Sequence, residues 1–190
     1  MLTEQQGDIL LSLARETIES QLACGKKRRT VENDLLLPAL TQDLGVFVTL
    51  HIDKILRGCI GSLMGTESIV AGVRRHALNA AFHDHRFAPL SKEEVESIRI
   101  SISVLTIPEK LKFAGPEELL LILRPGVDGV LLSASSGAGA TFLPQVWEQL
   151  PLPEMFLAQL CRKAGLDEDY WRSPDCEIKT YQVQYFEENR

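Results

Sequence analysis

The sequence lacks the features that mark several common protein classes. Its 190 residues include four cysteines, but no two of them form a CxxC pair, so the spacing excludes a zinc knuckle or a thioredoxin-type redox site. A membrane span needs about 18 or more predominantly apolar residues, and the longest stretch without a charged residue, 129–147, is interrupted by Gly137 and Pro144. The N-terminal segment carries Glu4 and Asp8, which a signal peptide would not. We therefore expect a cytoplasmic protein with reduced thiols.

Positive charge is also scarce. Twenty Lys and Arg residues against 26 Asp and Glu residues give a net charge of −6, and neutralising nucleic-acid phosphates needs a basic surface. The basic run from Lys26 to Arg29 follows a helix that we expect to end near Gly25, where cations complement the helix dipole and face solvent. Nucleic-acid binding is therefore disfavoured, unless other basic residues join this run on one face.

What is present is a succession of segments with clear apolar periodicity, helical where apolar residues recur every three to four positions and extended where they alternate. The predicted elements are a helix capped by Thr3 and Gln6, a hairpin over 45–63 with a turn at Asp53-Lys54, a helix capped by Thr66 and ending near 83–84, a strand over 98–104, a short helix from Gly115-Pro116, a hairpin over 127–143, helical segments over 144–150 and 153–164, and a final strand over 181–185.

Hairpins mixed with helices favour an α+β fold over a parallel doubly wound sheet. The length fits one domain, or one domain with two lobes. The two halves of the chain both run hairpin, helix, strand, which suggests an internal structural repeat without sequence identity.

The hexapeptide Leu56-Arg57-Gly58-Cys59-Ile60-Gly61 is the most informative segment for chemistry. In a strand, Arg57 and Cys59 lie two residues apart and share a face, and a guanidinium beside a thiol favours the nucleophilic thiolate. Glycine inside a strand indicates close approach of another backbone or a ligand, so Gly58 and Gly61 would open a concave spot beside the sulfur. The alternative is that Cys59 is a small buried hydrophobic residue and that the glycines mark a bulge.

Three other motifs that could suggest a functional site have simpler structural explanations. The glycines around Ala138 lack the rest of a phosphate-loop fingerprint and are more simply a hairpin tip. His83 and His85 could bind a metal only with a third ligand, so we expect two solvent-facing side chains at a helix end. Asp84 near a helix C-terminus needs a partner, and Arg86 is the nearest one, so the pair would either clasp the following loop or orient a substrate.

The hexapeptide resembles the hallmark of the AMMECR domain family, whose bacterial and archaeal members are called AmmeMemoRadiSam system protein A. Further blocks match that family in order along nearly the whole chain: Asp84 and Arg86-Phe87 with Pro89-Leu90, residues 126–130, residues 142–146, and residues 160–166. The resemblance implies a single domain over residues 1–190 with a larger and a smaller lobe, built from duplicated β-α-β-β units with mainly antiparallel sheets and flanking helices. It also implies that the hexapeptide lines the cleft between the lobes.

The activity of the family is not established, so the resemblance transfers no reaction. Its name records a gene association with a Memo-like protein and a radical S-adenosylmethionine protein, which implies these as partners. No cofactor and no metal is assigned by the sequence.

Two functional hypotheses follow. In the first, the protein is an enzyme acting on a small molecule or a modified group, with Cys59 and Arg57 as catalytic residues and with Gly58, Gly61, Asp84 and Arg86 contacting the substrate. In the second, it is a non-catalytic binding module, in which Arg57 forms a salt bridge with an acidic neighbour and Cys59 is packed.

Overall fold

Each half of the chain folds its strands into a four-stranded sheet. The computed structural model describes residues 1–23 and 32–189, and the chain divides into a first unit of residues 1–105 with 184–190 and a second unit of residues 106–183. All strand pairs with a defined register are antiparallel. The α+β class with antiparallel sheets is therefore confirmed.

The first unit packs its long helices against its sheet. Its elements are α1 (Glu4–Gln21), α2 (Glu32–Leu35), β1 (Gly45–Ile52), β2 (Ile55–Ser62), α3 (Ile69–Phe82), β3 (Arg99–Leu105) and β8 (Val183–Glu187). The strand order in the sheet is β2-β1-β3-β8. Residues Val46, Val48 and Leu50 of β1 alternate into the core because successive side chains of a strand point to opposite faces.

The second unit has its own sheet and a separate core. Its elements are β4 (Glu109–Lys110), α4 (Pro116–Ile122), β5 (Gly129–Ala134), β6 (Gly139–Phe142), α5 (Pro153–Lys163) and β7 (Cys176–Tyr181), with 3-10 turns at Pro144–Glu148 and Tyr170–Arg172. The strand order in the sheet is β4-β7-β5-β6. Phe156 is fully buried in the core, where its ring stacks on Trp147 with the centroids 3.7 Å apart.

The two sheets repeat one topology. In each half the chain runs strand, strand, helix, strand, strand, which contains the expected β-α-β-β order. The last strand of each half is exchanged: β4 follows β3 along the chain but pairs with β7, whereas β8 follows β7 and lies beside β3. The predicted internal repeat is therefore present in the topology.

Local signals set most element boundaries. Thr3 and Gln6 form the predicted capping box at the start of α1, and Pro116 occupies the first turn of α4 as predicted. The β1–β2 hairpin turns at Asp53 and Lys54, which have φ angles of 50° and 67°. These angles match the two-residue turn whose twist suits paired strands.

Two predictions about boundaries are wrong. The cap of α3 is Ser68, whose side chain accepts a hydrogen bond from the Ala71 N–H, and not Thr66. The alternating pattern over 181–185 does not mark one strand, because the chain leaves β7 after Tyr181 and starts β8 at Val183 in the other sheet. Alternation continues through such a change of partner, so the sequence pattern does not reveal it.

Some predictions lie outside the described residues, namely those on Cys24, Gly25 and the basic run from Lys26 to Arg29. Within the part of the chain that is described, no helix combines the length and the apolar character needed to cross a membrane.

Candidate functional site

The hexapeptide forms the middle of β2, which is an edge strand of the first sheet. Cys59 lies opposite Thr49 of β1, and the Cys59 Sγ is 3.3 Å from the Thr49 Oγ1. The Cys59 side chain is only half-buried. The sulfur therefore has one polar neighbour, in a residue that is not fully buried.

A buried carboxylate holds the backbone of Cys59. Asp84 follows the C-terminal end of α3, and its Oδ2 accepts a hydrogen bond of 2.9 Å from the Cys59 N–H. An edge strand presents N–H and C=O groups that no neighbouring strand satisfies. Asp84 takes the place of a strand partner at this position, although its side chain is only 2% exposed.

Arg86 completes the same arrangement from the loop after α3. Its Nε donates to the Asp84 Oδ1 at 2.9 Å, and its Nη2 donates to the Asp84 Oδ2 at 2.7 Å and to the Cys59 carbonyl at 3.2 Å. The side chain is 47% exposed. Within residues 1–23 and 32–189, the Arg86 Nη1 group has no hydrogen-bond partner, so it can donate to a ligand.

Asp84 and Arg86 shift each other's pKa. Hydrogen bonds from Arg86 hold the pKa of Asp84 well below its usual range, against the opposing effect of burial. Hydrogen bonding to Asp84 raises the pKa of Arg86, and the charge of an ionised Cys59 would raise it further. The positive charge of Arg86 therefore lies at the Cys59 backbone, where its Nη2 binds the carbonyl, and it is paired with the carboxylate of Asp84.

Arg57 takes part in a different interaction. Its Nε and a terminal nitrogen bind both carboxylate oxygens of Glu94, at 2.7 and 3.0 Å, and these bonds lower the pKa of Glu94 to about 2. Between Leu50 and His51 the strand register shifts, and Arg57 is the extra residue of this β-bulge. Because a bulge interrupts the alternation of side chains, the spacing argument that placed Arg57 on the face of Cys59 does not hold here.

The two glycines are close to the protein's own atoms. A Cβ at Gly58 would lie 2.1 Å from the Ala80 carbonyl oxygen of α3, and one at Gly61 would lie 2.3 Å from the Phe47 ring. The predicted close approach is present at both positions. The space that was expected to form a concave spot beside the sulfur is filled by Ala80 and Phe47, so both glycines have a packing role. Contact of Gly58 or Gly61 with a substrate stays a prediction.

The two other cysteines in the described part of the chain are more buried than Cys59. Cys161 and Cys176 are buried in the second unit, where burial raises the pKa of Cys161 and raises that of Cys176 to about 12. His83 and His85 are exposed on either side of buried Asp84. Among the residues that the structure describes, no three His, Cys, Asp or Glu side chains are grouped in a way that could hold a metal ion.

Thr49 and Glu94 belong to this site and were not singled out in the sequence. Thr49 occupies an alternating position of β1, but its pairing with Cys59 depends on the hairpin register. Glu94 lies 37 residues from Arg57 along the chain. No local pattern connects residues so far apart, whereas the Asp84–Arg86 pair was visible from its spacing.

Comparison with known proteins identifies the family. The AMMECR1 family model matches residues 11–186. A protein of Methanopyrus kandleri is 38% identical over 195 residues, covering 98% of this chain and 90% of that protein, and one of Methanothermobacter thermautotrophicus is 35% identical over 193 residues, covering 99% and 97%. The crystal structure of an uncharacterised protein from Pyrococcus horikoshii matches with a TM-score of 0.83 and 33% identity, over 99% of this chain and 94% of that one. The chain therefore belongs to the AMMECR1 family, as its hexapeptide predicted.

Proposed function

We propose that the protein is an enzyme that uses the Cys59 thiol to act on a small molecule carrying an anionic group. One observation carries the proposal. The buried carboxylate of Asp84 binds both the Cys59 N–H and the Arg86 guanidinium, and this half-exposed guanidinium also binds the carbonyl of the half-buried Cys59.

The cost of burying Asp84 supports this assignment. Removing a carboxylate from water is unfavourable unless hydrogen bonds and an opposite charge compensate. Here the compensation comes from Arg86 and from the Cys59 N–H. The result is a guanidinium held in one orientation with its Nη1 group directed away from Asp84. A guanidinium with free N–H groups recognises carboxylate and phosphate groups.

In the proposed reaction Cys59 is a nucleophile. The thiol gives its proton to solvent water, and the sulfur forms a bond to an electrophilic carbon of the substrate while the leaving group departs with the bonding electrons. A water molecule then displaces the sulfur, which restores the thiol. Arg86 binds the anionic group of the substrate through its unpaired Nη1 group and so holds the electrophilic carbon at the sulfur.

Alkylation with two reagents of different charge tests the proposal. Iodoacetate is anionic and iodoacetamide is neutral. The rate of alkylation of Cys59 by iodoacetate, divided by the rate with iodoacetamide, therefore rises when a positive charge is close to the thiol. An exposed ion pair contributes up to about 1 kcal/mol, and we therefore expect the ratio to be about fivefold higher in the folded protein than in the urea-unfolded chain. Mass spectrometry of the peptide that contains Cys59 measures both rates.

Two variants give this experiment its controls. Arg86→Gln should return the rate ratio to the value of the unfolded chain, whereas Arg162→Gln should leave it unchanged. Arg162 is similarly exposed and forms an ion pair with Glu168 in the second unit. An unchanged ratio in Arg86→Gln, or equal ratios in the folded and unfolded chains, would argue against an anion-directed thiol.

A second candidate function is a non-catalytic binding module, and the Arg57–Glu94 pair favours it. Arg57 forms the salt bridge expected of that hypothesis, and Ala80 and Phe47 fill the space next to the glycines. The partners would be the Memo-like and radical S-adenosylmethionine proteins that the family resemblance implies. Binding of a purified Memo-like protein that persists in Cys59→Ser would support this function, and the absence of any binding would contradict it.

A further inference from the structure

The second unit holds another pair of a buried aspartate and an exposed arginine, away from the hexapeptide. The Asp128 side chain is 4% exposed and that of Arg124 is 57% exposed. The Asp128 Oδ2 accepts hydrogen bonds from the Arg124 backbone N–H at 3.0 Å and from its Nε at 3.1 Å, and the Oδ1 accepts one from Nη2 at 2.5 Å. Arg124 is thus fixed in the same way as Arg86.

The backbone of Asp128 is also held on both sides. Its N–H donates to the Arg124 carbonyl at 3.0 Å, and its own carbonyl accepts a hydrogen bond of 2.7 Å from the Trp147 Nε1. Trp147 is buried in the core of the second unit. The aspartate that orients the Arg124 guanidinium is therefore anchored through its backbone to the core of the second unit.

Arg124 lines a cavity of about 270 Å³ together with Glu109, Thr106 and Thr180. Within residues 1–23 and 32–189, the Arg124 Nη1 group has no hydrogen-bond partner and the Glu109 carboxylate has no ion-pair partner. Glu109 of β4 lies directly opposite Thr180 of β7, so these two side chains share one face of the sheet. The cavity is therefore lined by a guanidinium group, a carboxylate group and two threonine hydroxyl groups.

We infer that this cavity binds a small molecule that carries both a carboxylate and an ammonium group, of the class of free α-amino acids. The carboxylate binds the Arg124 guanidinium and the ammonium group binds the Glu109 carboxylate. The hydroxyl groups of Thr106 and Thr180 add hydrogen bonds. This site is independent of the chemistry proposed at Cys59.

The size and charge of the cavity favour this class over a simple anion. Ligand pockets for drug-sized molecules occupy about 300–1,000 Å³, so a cavity of about 270 Å³ suits a smaller metabolite. An anion alone would leave Glu109 without a counter-charge and would be repelled by it. An amine alone would leave the Nη1 group of Arg124 without an acceptor, since Asp128 binds only the Nε and Nη2 groups.

Titration with three probes tests the inference. L-Alanine carries both charges, acetate carries only the carboxylate, and methylammonium carries only the ammonium group. Backbone amide shifts in NMR spectra should saturate with L-alanine at Thr106, Arg124 and Thr180. We expect the dissociation constants for acetate and methylammonium to be at least about tenfold higher, which corresponds to about 1.4 kcal/mol.

Variants of the two charged residues separate the possible outcomes. Arg124→Gln should abolish saturable L-alanine binding, and Glu109→Gln should make L-alanine bind no better than acetate. Arg162→Gln removes a similarly exposed guanidinium elsewhere in the second unit and should have no effect. Equal binding of acetate and L-alanine to the unmodified protein, or L-alanine binding that survives in Arg124→Gln, would overturn the inference. No saturable binding of any of the three probes would overturn it as well.

Discussion

Replacing Gly58 with alanine tests the packing that holds the hexapeptide strand against α3. A Cβ at this position would lie 2.1 Å from the backbone oxygen of Ala80 and 3.1 Å from its carbonyl carbon. Both atoms belong to the helix backbone, so no side-chain rotation can relieve the overlap. Ordinary contact starts at 3.4 Å, and the strand and the helix would have to separate locally by about 1.3 Å.

The expected cost follows from the rigidity of this contact. Extra atoms in a well-packed core cost about 1–3 kcal/mol, and more where the surroundings cannot adjust. Since the obstacle is backbone, we expect Gly58→Ala to lower the free energy of unfolding by about 3 kcal/mol. The shift would also disturb the Cys59–Asp84 hydrogen bond, because Asp84 follows the end of the same helix.

Urea unfolding followed by circular dichroism measures this effect, and Gly72→Ala is the matched control. Gly72 lies inside α3, where the nearest atoms to an added Cβ belong to Val46 at 3.7 Å. Alanine stabilises a helix interior by about 0.5–1 kcal/mol relative to glycine, so this variant should be slightly more stable than the unmodified protein. A Gly58→Ala protein as stable as the unmodified one would refute the packing argument.

Three further predictions concern stability. Burial lowers the pKa of His76, so its neutral form is favoured in the folded state. The urea midpoint should therefore fall as the pH drops below about 6.5, the pKa of histidine in the unfolded chain. His76→Gln should reduce this dependence of the midpoint on pH. Arg57→Gln should weaken the folded protein at neutral pH by about 1–3 kcal/mol. The pair lowers the pKa of Glu94 to about 2, so this loss should shrink as the pH falls below the unfolded value of about 4.3 and through 2, where Glu94 becomes protonated in the unmodified protein as well. An equal loss at neutral pH and at pH 2 would contradict the pairing. Arg15 is buried and binds Glu188 through two nitrogens, so Glu188→Gln should cost about 3–5 kcal/mol in thermal or urea unfolding, and a neutral effect would show that this pair does not hold β8 in place.

Local sequence patterns predicted most of the fold elements. Alternation over β1 and β3 and apolar spacing over α1 and α3 depend on neighbours two to four residues apart, which share one face of a regular strand or helix. The α+β class followed from the order of these elements, and the hexapeptide identified the family. The same local reasoning identified Cys59 and the Asp84–Arg86 pair as candidate site residues.

Contacts across long sequence separations could not be predicted in this way. Asp84 reaches the Cys59 N–H over 25 residues and Arg57 reaches Glu94 over 37. The bulge at Arg57 appears only once the hairpin register is known, and the cation that binds the Cys59 backbone is Arg86, 27 residues further along the chain. The Ala80 carbonyl of α3 occupies the space beside Gly58, and this contact also joins residues that are far apart in the sequence.

The exchange of β4 and β8 between the two sheets also depends on the tertiary structure and could not be predicted from local patterns. A strand pattern specifies which side chains face the core and leaves open which strand supplies the hydrogen-bonding partner. Periodicity therefore determined the elements and their buried faces. Strand register, pairing across the chain and the packing of α3 on β2 determined which charges, backbone groups and side chains surround the Cys59 sulfur.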